Sequence, residues 1–138
     1  IAREARPAHF IGDLPHAWVA SDYVRSVLDL FAYERADGAY VLAAGIPASW
    51  LDRAGVAIRG LRTPYGTLSY SLVRLGERIV ELTLTANGSV PPGGFVLAGP
   101  WPTPLHASVN GKAVDVRGGE LRIDETQARV VLELGVSK

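Results

Sequence analysis

One amphipathic stretch followed by a long series of strand patterns constrains this chain more than any other feature. Residues 12–34, GDLPHAWVASDYVRSVLDLFAYE, place Val19, Tyr23, Val27 and Leu30 at helical spacing, and Val24, Leu28 and Phe31 widen the stripe. Asp13 is placed to cap this helix, and Pro15 falls in its first turn, where a missing N–H costs little. The other side carries Trp18, Asp22, Arg25 and Asp29. Asp22–Arg25 and Arg25–Asp29 are i,i+3 and i,i+4 pairs, worth a few tenths of a kcal/mol each when exposed. So broad an apolar face must pack on something. A lone helix of this kind ahead of a β-region reads as a piece of a larger protein. The start at Ile1, with no methionine in the chain, reads the same way. Residues 1–11 carry no clear period and read as a linker or a severed upstream element.

After the breaker Ala36–Asp37–Gly38 the period changes. YVLAAGI (40–46) is a continuous apolar run and predicts a buried strand; PASWLD (47–52) predicts a short helical turn; VAIRGL (56–61) follows as another strand. GTLSYSLVRLG (66–76) sets Leu68, Tyr70 and Leu72 on one face, and RIVELTLT (78–85) sets Val80, Leu82 and Leu84 on one face. The tight turn between them makes a hairpin with one buried side. GFVLAGP (94–100), ASVNGKAVDV (107–116), GELRID (119–124) and ARVVLELG (128–135) continue the series. Asn110–Gly111 is a strong hairpin signal, because both central turn positions require positive φ. In the last strand Ala128, Val130, Leu132 and Leu134 share a face. The fold class predicted is all-β, an antiparallel two-sheet β-sandwich of about seven or eight strands preceded by one amphipathic α-helix. The domain reading is 1–35 for the N-terminal segment and helix, and 36–138 for the sandwich.

Composition narrows the function classes. At 138 residues, 48% hydrophobic and 20% charged, the chain is long and apolar enough for one folded domain. Lys+Arg and Asp+Glu both number 14, so no basic excess exists to neutralise phosphates, and nucleic acid is not an expected partner. No apolar run approaches a membrane span. The absence of cysteine excludes disulfides, thiolate metal sites and thiol nucleophiles, and is compatible with cytosol or periplasm alike.

No residue constellation carries self-contained chemistry. His9, His16 and His106 are not at ligand spacing with one another, so neither metal nor cofactor is expected. His106 reads as a surface residue. Asp13, Asp22, Asp29, Glu77, Glu81, Glu120, Asp124, Glu125 and Glu133 fall mostly at outward or turn positions, and nothing pairs two of them for glycosidic hydrolysis. There is no G-x-S-x-G elbow, and PPGG (91–94) does not lead from a strand into a helix. The tryptophans are the residues of interest. Trp18 shares a side with Asp22 and Arg25; an indole there is covered by protein or offers a sugar-stacking platform. Trp50 in PASWLD reads first as a plug against the sandwich, and Trp101 in PWPTP as a loop residue open to solvent; either could instead stack on a sugar.

The order GDLPHAWVASDYVRSVLDLFAYE, YVLAAGIPASWLD, GVAIRGLRTPYGTLSYSLVRLGERIVELTL, PPGGFVLAGPWP and VNGK resembles the C-terminal end of large bacterial (α/α)6-barrel glycoside hydrolases. It is similar to the α-L-rhamnosidase and glycogen-debranching-like group, over nearly the whole chain. The resemblance implies that GDLPHAW opens the last barrel helix near the sugar-binding mouth. Asp13, His16 and Trp18 would then border the substrate cleft. It also implies that the sandwich buttresses the barrel, with Thr63–Leu72 as structural strand. The barrel itself, with its general acid and base, has no counterpart in this chain.

The function expected is thus a non-catalytic C-terminal accessory domain of a carbohydrate-active enzyme. Its partner would be an upstream catalytic helical domain of the same protein. An independent carbohydrate-binding module using Trp18, Trp50 or Trp101, and an interaction sandwich with an apolar patch or open edge strand, are the alternatives. A helix deprived of its barrel should leave the isolated fragment with exposed apolar surface and a tendency to dimerise. If instead the stripe faces the sandwich, Val27→Asp should cost several kcal/mol.

Overall fold

The computed structural model describes residues 17–102 and 104–135. In chain order the elements are α1 (Ala17–Phe31), β1 (Ala32–Glu34), β2 (Tyr40–Leu42), α2 (Ala48–Leu51), β3 (Val56–Thr63), β4 (Gly66–Leu75), β5 (Ile79–Gly88), β6 (Phe95–Leu97), β7 (Pro104–Val109), β8 (Lys112–Ala113), β9 (Leu121–Ile123) and β10 (Gln127–Leu134). The strands form two sheets, β1-β2-β6-β9 and β3-β4-β5-β10-β7-β8. The architecture is a β-sandwich behind one helix. Among the described residues its strands number ten rather than seven or eight, because Ala32–Glu34, read as the end of the helix, is a strand, and the run 107–116 divides at the Asn110–Gly111 turn.

The six-stranded sheet follows from strict alternation. Leu68, Tyr70 and Leu72 on β4 are buried, as are Val80, Leu82 and Leu84 on β5 and Ala128, Val130, Leu132 and Leu134 on β10. The register sets Tyr70 opposite Leu84 and Leu72 opposite Leu82, and on the other side of β5 Val130 faces Leu82. A one-residue slip would turn every one of these side chains to solvent, so the pattern fixes the pairing. Cross-strand ion pairs occupy the outer face: Arg129 with Glu81 at 2.6 Å and Arg78 with Glu133 at 3.1 Å. At one edge β3 is bulged between Ile58 and Leu61, with Gly60 at φ +64° donating its N–H to Ser69 Oγ. That bulge, flanked by exposed Arg59 and Arg62, breaks the run of free backbone groups that would otherwise recruit another strand.

The smaller sheet is built from three-residue strands, and all residues of β2 and β6 are buried. These two strands pair in parallel, Val41 with Val96, while β1–β2 and β6–β9 are antiparallel. On its inner side Tyr40, Leu42, Phe95, Leu97, Leu121 and Ile123 join the core of the larger sheet. On its outer side Val41 and Val96 form a small second cluster with Ala39.

The helix ends three residues earlier than the sequence period suggests. Ala32–Glu34 is a strand, paired Ala32↔Leu42 and Glu34↔Tyr40 across the turn at Gly38. The last-turn carbonyls of α1, which lack intrahelical donors, are taken by the sandwich: Ala43 N–H and Tyr70 O–H donate to Phe31 O at 2.8 and 2.7 Å, and Gly45 N–H to Leu30 O at 3.2 Å. Gly45 lies against Leu30, where any Cβ would come within 2.6 Å of Leu30 Cδ2.

Candidate docking face and aromatic groove

Despite its apolar stripe, α1 has no buried residue. Val19, Tyr23, Val24, Val27 and Leu28 are all exposed, Tyr23 by 70%. Only Leu30 and Phe31, at the C-terminal end, pack partly against the core. The stripe therefore does not face the sandwich, which removes the reading under which Val27→Asp would cost several kcal/mol. Trp18, in the first turn, is 70% exposed. Asp22, Arg25 and Asp29 take part in none of the ion pairs found among the described residues; Ser26 Oγ–H donates to Asp22 O at 2.8 Å. Asp13 and His16 lie outside the described residues.

A second feature lies between the last residue of α1, α2 and the start of β3. Phe31, Ser49, Trp50, Arg53, Ala54, Gly55, Val56 and Ala57 line an open groove of about 610 Å³. Trp50 is 43% exposed and is not the plug that its sequence context suggests. On a four-residue helix, Leu51 turns into the core at 1% exposure, and its neighbour one position back necessarily points elsewhere. Arg53 beside it is in none of the ion pairs found among the described residues, whereas Asp52 is held by Arg74 at 3.3 Å.

Trp101 is half-buried rather than open. It packs against the core, with its indole lying over Gly99, where a Cβ would fall 1.9 Å from the ring. It lines a different groove with Arg74, Arg78, Pro100 and Pro102, and this shares no residue with the Trp50 groove. His106 is exposed on β7, as read.

The junction between helix and sandwich holds the polar residues that the sequence reading missed. Arg35, in the turn between β1 and β2, grips Asp37 at 2.9 Å and Glu120 at 2.8 Å. Hydrogen bonds from Arg35 and then from the Ala39 N–H hold the Asp37 carboxyl below its ordinary range, and the Arg35 guanidinium is raised in turn. Tyr65 donates to Glu34 Oε1 at 2.6 Å, which raises its phenol, and meets Tyr40 edge-on at 6.4 Å. Burial raises Tyr70 and Tyr40. Nothing in local spacing announces Arg35–Glu120, because the partners are 85 residues apart.

Among the described residues no three of His, Asp and Glu gather as metal ligands, and no helix is long and apolar enough to cross a membrane. Compared with protein-family models, with curated proteins and with solved structures, the chain matches none.

Proposed function

We propose that this chain is a non-catalytic β-sandwich accessory domain of a larger carbohydrate-active enzyme, a glycoside hydrolase, and that α1 carries the face by which it packs on a helical catalytic domain. The observation that carries the reading is the contrast within α1. Its C-terminal carbonyls are fixed to the sandwich, yet the stripe from Val19 to Leu28 is uncovered. Contiguous exposed apolar surface of this kind marks a protein interface. The resemblance to (α/α)6-barrel hydrolases supplies the kind of partner: another helix bundle, whose grooves accept such a stripe. In that setting the sandwich is a buttress, and Trp18, Asp13 and His16 come near the sugar cleft.

The test is the coding sequence ahead of Ile1. Several hundred residues of paired helices there, glycoside hydrolysis by the whole polypeptide and none by residues 1–138 are expected. A gene that starts at Ile1, or cleavage by the chain alone, overturns the proposal.

The half-exposed Trp50 beside Arg53 favours one second reading, a carbohydrate-binding module. Titration with oligosaccharides separates the two. Saturable quenching of tryptophan fluorescence that disappears in Trp50→Ala supports the module; no quenching leaves the accessory domain.

A further inference from the structure

The turn between β7 and β8 carries an Asn-Gly pair whose side chain does more than form a turn. Asn110 has φ +50° and Gly111 φ +79°. Gly111 stands in open space, so conformation alone selects it. Asn110 N–H donates to Arg129 O at 2.8 Å, and Arg129 N–H donates back, also at 2.8 Å, to the side-chain Oδ1 of Asn110. The side-chain carbonyl thus takes the place of the backbone carbonyl that the turn has directed away, and it extends the β7–β10 ladder by one pair. The amide Nδ2 donates to Gln127 O at 3.1 Å and to Glu125 Oε2. All these groups are at the surface.

An exposed Asn-Gly is chemically labile. The Gly amide nitrogen attacks the Asn Cγ, forming an N–Cγ bond. The Cγ–Nδ2 bond breaks and ammonia leaves with the proton. Water then opens the succinimide at either carbonyl, giving aspartate or isoaspartate. Here both ends of the side-chain amide are committed across the turn to β10 and the segment before it. Cγ reaches Gly111 N only by giving up those bonds.

We propose that Asn110–Gly111 is a deamidation site shielded by this clasp, and that its modification turns the clasp into a carboxylate facing Glu125, releasing the Glu125 side chain and the Gln127 carbonyl from the hairpin. Aspartate keeps the acceptor for Arg129 N–H but loses both donors. Isoaspartate also adds a backbone atom and spoils the turn. The change is one-way.

The experiment ages the folded chain and the same chain in urea in mildly alkaline buffer, and reads amide-to-acid conversion at Asn110 by peptide mass spectrometry. Conversion at least about tenfold slower in the folded chain is expected, since reaction requires a local opening that breaks the Asn110 side-chain hydrogen bonds. Equal rates overturn the shielding. Separately, Asn110→Asp should lower the melting temperature, and adding Glu125→Gln should recover part of the loss. A double variant no more stable than the single one overturns the charge conflict.

Discussion

Leu82 and Val27 are both aliphatic residues in regular secondary structure, yet the molecule treats them in opposite ways. Leu82 sits at the middle of a six-stranded sheet, wholly buried between β4 and β10, while Val27 on α1 remains exposed. The sandwich satisfies its own apolar pattern: every inward position of β4, β5 and β10 named above finds partners across the core. The helix satisfies only its last turn, through Phe31, Leu30, Gly45 and Tyr70. The difference teaches that burial, rather than helix propensity, must supply most of α1's stability. A helix of 15 residues with no buried face is marginal in water, and the proposed packing on a helical domain would give its stripe the cover that the sandwich does not.

The largest effect that could break this comparison lies in the sheet. Leu82→Ala should cost about 3 kcal/mol in chemical denaturation, through lost transfer energy and a cavity that the facing sheets cannot close. A loss below about 1 kcal/mol would mean that the sheet is not the stable unit. Next comes the joint. Gly45→Ala would drive a Cβ to within 2.8 Å of Leu30 Cα, and should cost about 1–3 kcal/mol as the end of the helix is displaced. Unchanged stability and unchanged helical circular dichroism would show that the joint is loose.

Tyr70→Phe sharpens the same point by removing one hydrogen bond to Phe31 O, at a cost of about 1 kcal/mol. It also has a pH signature. Burial raises the folded-state pKa of Tyr70 above its unfolded value of 10.0. The stability this contributes is complete below the unfolded pKa and is lost as pH rises from there toward the folded value. The wild-type chain should therefore weaken above about pH 10, and Tyr70→Phe should weaken less steeply. Parallel alkaline profiles would contradict the assignment. The smallest effect belongs to the stripe: Val27→Asp should change the stability of this chain by less than about 1 kcal/mol, because a carboxylate there stays in water.

How much of this was legible depends on whether the signal was local. The β4–β5 hairpin, the Asn110–Gly111 turn and the inward set of β10 rest on strict alternation or on one turn type, and the structure agrees with the reading at each. Strand β1 was hidden because Phe31 and Ala32 continue a helical pattern; the change of direction is imposed by pairing with β2 across the turn at Gly38, and three residues are too few to show an alternating period of their own. The parallel β2–β6 pair joins residues more than fifty positions apart and was equally invisible. For the candidate site, the apolar stripe was plain from its period, but its exposure was not: periodicity says that a face wants cover and is silent on what covers it. Trp50 was misread because Trp and Leu compete for one inward position on a single helical turn, and Leu51 took it.

Native-state hydrogen exchange on this chain probes the contrast between α1 and the sandwich residue by residue. The account predicts that amides of β4, β5 and β10 exchange only through global unfolding, while those of α1 from Val19 to Leu28 exchange through small local openings. Protection of the α1 amides equal to that of β5 would contradict it, and would mean that the helix needs no partner.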